Sequence, residues 1–303
     1  MLPTFLIIGA MKAGTTALYR MLDAHPGVYM SPVKEPNFFA FAGQDLDFQA
    51  PIDQRSDGIN HTSITNRADY EALFAHAQPD QARGEASHTS LYWPNAAATI
   101  QRLVPEARLV AILRNPIDRA YSEYMHFVRD GDEPLSFADA LDAEPDRIAA
   151  HWAMGRYVDR GRYDEQLARY LDRFDRDQLL VLLHEDLVAD PSGTARRLFR
   201  HVGVDPSVEP ALERRVNASG VPRNRWLHRA LTGLQPMREA LAPLLPSALI
   251  DWANTLKNHN LDTPPMDPAL RTRLAHTFRP HVERLGAMLA CDVSAWSLSS
   301  GVP

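Results

Sequence analysis

The 303-residue sequence predicts an α/β protein, a central parallel sheet flanked by helices. Three observations lead there. Continuous apolar runs at residues 5–8, 109–113 and 179–183 are short and bounded by turn signals, as buried parallel strands are. Each is followed by a stretch of helical character. Between the first run and its helix, Gly9 and Gly14 stand five residues apart, the spacing of a phosphate-binding loop.

The elements follow in order. Residues 5–8 form a β-branched strand stopped by Gly9, and a helix starts at Thr15 with Leu18, Met21 and Leu22 on one face. His25, Pro26 and Gly27 end it. The run at 109–113 stops at Asn115 and Pro116, and residues 118–128 read as helix. The run at 179–183 precedes a helix near residues 191–202. Residues 41–68 lack a period and 129–160 are polar with helical pieces; both read as insertions. From Pro222 onward the pattern is helical, punctuated by prolines. No interdomain linker or repeat is visible, so residues 1–303 read as one domain.

Composition sets limits. A net charge of −6 argues against general nucleic-acid binding, so any basic site must be local. Cys291 is the only cysteine, which excludes an internal disulfide and fits a reducing compartment. No stretch approaches the roughly 18–20 apolar residues of a membrane span. Residues 5–8 run straight into the glycine loop, without the regions of a signal peptide. A cytoplasmic enzyme is expected. Only Lys12, Lys34 and Lys257 among the 32 basic residues are lysine, a bias of GC-rich coding that points to a bacterial source.

The loop FLIIGAMKAGTTAL departs from that of a nucleotide triphosphatase, which places lysine directly after the second glycine. Here Thr15 and Thr16 follow Gly14, and Lys12 precedes it. A strand, a glycine turn and a helix start still make an anion site, because the first helical N–H groups lack intrahelical partners. A second site decides the ligand class. The strand at 109–113 ends in Arg114 rather than in the acidic residue that helps hold magnesium, and Ser122 follows in the next helix. Two separate anionic ends and no essential metal describe a nucleotide with a 5′ phosphate-linked group and a separate 3′-phosphate. A P-loop kinase of a small metabolite fits less well, since the Gly-Lys pair is missing. A catalytically idle nucleotide-binding protein is the other alternative.

At these residues the sequence resembles a known family. FLIIGAMKAGTTAL looks like the 5′-phosphosulfate loop of sulfotransferases that use 3′-phosphoadenosine 5′-phosphosulfate (PAPS), and RLVAILRNPIDRAYSEY like their 3′-phosphate segment. GEAS (84–87), GRYDEQLARYLDRF (161–174), LLVLLHEDLVADP (179–191) and NASGVPRNRW (217–226) extend the likeness. The branch it resembles contains the heparan sulfate N- and 3-O-sulfotransferases and their bacterial relatives. The resemblance implies a P-loop-NTPase-like three-layer fold. It implies Lys12, Ala13, Gly14, Thr15 and Thr16 on the phosphosulfate, Arg114 and Ser122 on the 3′-phosphate, and a 217–226 loop that covers the nucleotide with Arg223.

Sulfuryl transfer needs a base near the acceptor and a cation near the departing oxygen. Lys12 suits the second role. For the base, SPVKEPNFFA places Glu35 beside Lys34, which lowers a carboxyl pKa, and before Phe38 and Phe39, which raise it. Relatives carry their base in a matching E-x-x-F-F context, which favours Glu35. His88 is the rival, and Glu85 can join the base network. Ala86 stands where 3-O-sulfating enzymes have lysine and Asn37 where they have histidine, and no dense basic run is present. The expected acceptor is therefore a small molecule, a modest glycan or a glycolipid headgroup. Trp226, Trp252 and Trp296 read as core or loop anchors. His259, His276 and His281 show no metal-ligand spacing.

Overall fold

The computed structural model describes residues 1–210, 221–222, 261–262 and 264–297. Five strands, β1 (Phe5–Gly9), β2 (Val28–Met30), β3 (Ala82–Ala86), β4 (Arg108–Leu113) and β5 (Leu179–Leu183), pair in the order β2-β3-β1-β4-β5. Every pair is parallel. All five residues of β1, and all of β4 after Arg108, are buried, as strands covered on both faces must be.

The helices are α1 (Thr15–Asp23), α2 (Phe38–Phe41), α3 (Ile59–Thr62), α4 (Arg67–Ala72), α5 (Thr89–Tyr92), α6 (Ala96–Leu103), α7 (Pro116–Asp130), α8 (Phe137–Asp142), α9 (Glu144–Ala149), α10 (Tyr163–Leu171), α11 (His184–Ala189), α12 (Pro191–Val202) and α13 (Pro268–Leu289). In α1 the face carrying Leu18, Met21 and Leu22 is buried, as its spacing predicts. The helix expected at 118–128 starts earlier, at Pro116, because proline suits the first helical turn and Asn115 caps Ile117. Gly131, at φ 85°, ends it in the left-handed conformation.

Two strands escape a reading of apolar runs. β2 is three residues long, and β3 (ARGEA) carries an arginine and a glutamate. Gly84 explains part of β3: a Cβ there would lie 2.1 Å from the ring of Phe5, so only glycine lets β3 sit against β1. The two insertions pack on one another. Phe41, Phe48 and Ile59 meet Ala153, Met154 and Trp93 in a satellite core, and Asp53 accepts from the Ala153 N–H at 2.8 Å. A two-stranded antiparallel pair joins β6 (Val221–Pro222) to β7 (Leu261–Asp262), and β6 lies against α7.

Candidate active site

Most residues expected at the site within the described chain, Glu85 within β3 and Ser122 within α7 excepted, follow the carboxyl end of a strand. In spatial order these are Lys34 and Glu35 after β2, His88 after β3, residues 10–16 after β1, and Arg114 after β4. Ligands of open α/β sheets bind at this edge.

The loop after β1 is tied down from several sides. Ala10 donates its N–H to Ile112 O at 2.8 Å, Arg114 Nη1 donates to Lys12 O at 3.3 Å, and His184 Nδ1–H donates to Ala13 O at 2.9 Å. Lys12 adopts φ 62° and Gly14 φ 117°, backbone states that side chains normally resist. A Cβ on Gly14 would also meet Leu187, His184 and Ile112 at 3.2–3.3 Å. Gly14 caps α1 without a side chain, so no side-chain cap covers the first N–H groups of the helix, the arrangement of an anion site.

Lys12 is only partly exposed, and its pKa falls to about 8. Burial is the first cause and the positive charge of Arg129 the second, while Glu123 and Asp130 pull the other way. His126, also on α7, is pushed down to about 4 by burial and by Lys12 and Arg129, so it is neutral at pH 7. Behind the loop lies a buried cluster that the sequence did not announce. Glu123 accepts from Arg119 Nη1 at 2.6 Å and from Arg160 Nη1 at 3.0 Å, all three nearly inaccessible. Arg160 also touches the Met11 sulfur, joining the cluster to the loop. The i, i+4 spacing of Arg119 and Glu123 was the one signal available.

At the second anion position, Arg114 closes β4 and Ser122 is buried two turns along α7. Tyr163 donates its hydroxyl to Arg114 O at 3.1 Å, and Asn115 donates its N–H to Glu185 Oε1 at 3.2 Å. Arg223, Trp226, Trp252, His259 and most of the 217–226 loop lie outside the described residues.

The structure brings Glu35 and His88 together. His88 Nε2 is 3.4 Å from Glu35 Oε2, and Lys34 Nζ is 3.3 Å from Oε1. Glu35 has φ 62° and Asn37 φ 57°, and the turn is held by Glu35 N–H to Ala86 O at 3.0 Å. Ser87 Oγ accepts from the Asn37 N–H at 3.0 Å and donates to Glu85 Oε2 at 2.7 Å. Burial works to raise the Glu35 pKa, but the charges and hydrogen bonds of His88 and Lys34 win, and the carboxyl ends well below its ordinary range. His88 and Lys34 together outweigh burial, with His88 the larger influence; of the two aromatics that follow, Phe38 stacks on Tyr70 and Phe39 meets that ring edge-on. Glu85 behaves oppositely. It is 1% exposed, and burial lifts it to about 8, against the Ser87 hydrogen bond and helped by Glu35.

His281 differs from its sequence reading. It meets Asp164 at 2.9 Å and Glu165 at 3.7 Å across α10 and α13, from 117 residues away. Arg284 donates to the same Asp164 at 2.7 Å, which makes the group an ion-paired helix contact. Trp296 is buried, as an anchor should be. Among the described residues, no helix is long and apolar enough to cross a membrane.

A parallel sheet with a glycine loop after β1 and an arginine after β4 defines an α/β fold of the P-loop-like class. A model of the sulfotransferase family matches residues 3–209, and the chain belongs to that family. It is 32% identical to a sulfotransferase from Alicyclobacillus acidocaldarius of known structure, with 98% of this chain and 100% of that one covered and a TM-score of 0.76. It is 25% identical to Homo sapiens carbohydrate sulfotransferase 15, over 97% of this chain. To Homo sapiens bifunctional heparan sulfate N-deacetylase/N-sulfotransferase 3 it is 30% identical over 68% of this chain. The chain spans 54% and 23% of the lengths of these two proteins.

Proposed function

We propose that the protein transfers the sulfuryl group of PAPS to a hydroxyl or amine of a small-molecule, glycan or glycolipid acceptor. The observation that carries this reading is the pairing of two cationic anion sites, the Lys12 loop and Arg114, on either side of the β1–β4 edge. The names of the relatives support a carbohydrate acceptor.

On this reading Lys12 and residues 13–16 hold the phosphosulfate, and Arg114 and Ser122 hold the 3′-phosphate. Arg223 adds a contact from the loop beyond α12. The acceptor oxygen or nitrogen attacks sulfur opposite the bridging oxygen, Glu35 takes its proton, and the sulfur–oxygen bond to the nucleotide breaks. Lys12 stabilises the charge on the departing oxygen. His88, 3.4 Å from Glu35, orients the base and is the other group able to take the proton. No step needs a metal. The acceptor enters by a cleft between the end of α5 and α10, lined by Tyr92, Trp93, Arg156 and Arg162 and reaching Gln166. A smaller hollow lined by His88, Met11 and Tyr92 joins that cleft to the loop.

Calorimetry with 3′-phosphoadenosine 5′-phosphate (PAP) in the presence of a chelator, with Mg-ATP in parallel, tests this. Tight metal-free binding of PAP that collapses in Arg114→Ala is expected. Binding of Mg-ATP in its place would favour a kinase. Binding of PAP by a protein that transfers no sulfuryl group from PAPS to any of a panel of sugars and phenols, with Glu35→Ala indistinguishable, would favour an idle binding protein.

A further inference from the structure

Lys34 is one of only three lysines in the chain, and its side chain bridges two parts of the site. Its Nζ donates to Thr16 Oγ1 at 2.8 Å and lies 3.3 Å from Glu35 Oε1. Thr16 is the second residue of α1, beside the loop that holds the phosphosulfate on the reading above. The same ammonium is thus within reach of the donor position and of the base.

In this arrangement Glu35 is a poor base. One oxygen faces the Lys34 ammonium and the other faces His88, and a carboxylate paired with an ammonium has little affinity for a proton. Buried Glu85 nearby keeps its proton up to about pH 8, so at neutral pH it adds no negative charge to oppose them. The backbone of Glu35 is fixed by its bond to Ala86, whereas the lysine, 35% exposed, carries its ammonium on a flexible four-carbon stem that can swing to a new partner.

We propose that Lys34 is a donor-responsive positioning residue. In the free protein it pairs with Glu35; when a sulfuryl group arrives beside Thr16, its ammonium turns to the sulfuryl oxygens and releases Glu35 to accept the acceptor's proton. The proposal rests on the PAPS reading. It makes the base competent only after the donor is seated, so the donor and the acceptor chemistry are linked through one side chain. The driving force is competition between two anions for three N–H donors, with Thr16 as the pivot.

The scarcity of lysine supplies the test. Protein labelled with [ε-13C]lysine shows three signals, assigned with Lys12→Met and Lys34→Met. The Lys34 signal is compared in wild type and Glu35→Gln, each free, with PAP, which lacks the sulfuryl group, and with PAPS in the absence of acceptor. Removing the carboxylate is expected to shift Lys34 in the free and PAP-bound proteins, and to lose most of that effect once PAPS is bound. A Lys34 signal that stays sensitive to Glu35→Gln with PAPS bound, while Lys12 responds to the nucleotide, overturns this proposal alone. A signal insensitive to Glu35→Gln in the free protein also overturns it. If neither nucleotide moves Lys12, the donor assignment fails and this proposal with it.

Discussion

Arg114 Nη1 donates to the carbonyl oxygen of Lys12 at 3.3 Å, so the arginine that ends β4 also braces the loop that follows β1. Arg114→Ala should therefore weaken two ligands. Affinity for PAP should fall by roughly 100-fold, in line with the cost of removing one partner of a charge-assisted contact. Adenosine 5′-phosphosulfate, which has no 3′-phosphate, should also bind less well, through the loosened loop. Calorimetry with both ligands measures the two effects; a loss confined to PAP would show that the brace is unimportant.

Lys12 titrates at about 8 in the free protein because of burial and of Arg129 and Arg114 nearby. A bound phosphosulfate anion favours its charged form. Near pH 8 the free group is half deprotonated and the bound group is protonated, so binding takes up protons. Well below pH 8 both states are protonated and this uptake vanishes. Calorimetry of PAPS binding in two buffers of different ionisation enthalpy reads it directly, and Lys12→Met should abolish it while lowering kcat by about 10²-fold or more.

Glu35→Gln keeps the size of the side chain and removes its basicity. Transfer should drop by about 10²–10⁴-fold, the usual contribution of general-base catalysis, with the PAP Kd changed little. His88→Asn should cost less, since Glu35 remains. A larger loss for His88→Asn than for Glu35→Gln in kcat would reverse the two assignments.

Glu85 holds a proton up to about pH 8 in the folded protein, whereas an ordinary glutamate loses it near 4.5. Between those values the unfolded chain has released a proton that the folded protein keeps, so wild-type stability declines with rising pH on account of this group. Glu85→Gln removes that decline. Urea unfolding at pH 5 and pH 8.5 should show the variant gaining on the wild type at the higher pH.

Glu123 is the one carboxylate between Arg119 and Arg160 in their buried cluster. Glu123→Ala strands two buried guanidinium groups and should destabilise the fold by about 3–5 kcal/mol. Thermal unfolding measures it. A change below 1 kcal/mol, about the value of an exposed pair, would mean that water reaches the cluster.

The strands with continuous apolar character were legible, because burial on both faces leaves no room for polar residues. β3 was not: its Glu85 is buried and paired with Ser87, and its Gly84 is dictated by a ring on another strand, facts that only tertiary contact creates. In the site, the Lys12 loop and Arg114 could be read from local spacing. The meeting of Glu35 with His88 could not, because 53 residues of chain separate them and their approach depends on β2 and β3 lying side by side. The same limit hid the bond from Lys34 to Thr16.

The strand order has a consequence for how such a protein can change over generations. With β1 in the middle, the groups proposed for the nucleotide follow β1 and β4, and the proposed base and its partner follow β2 and β3. One half of the sheet can drift toward a new clientele while the other stays fixed on a shared currency of sulfate. Grafting residues 31–68 and 87–95 from a relative of different taste should transplant its preference and leave the appetite for PAPS untouched.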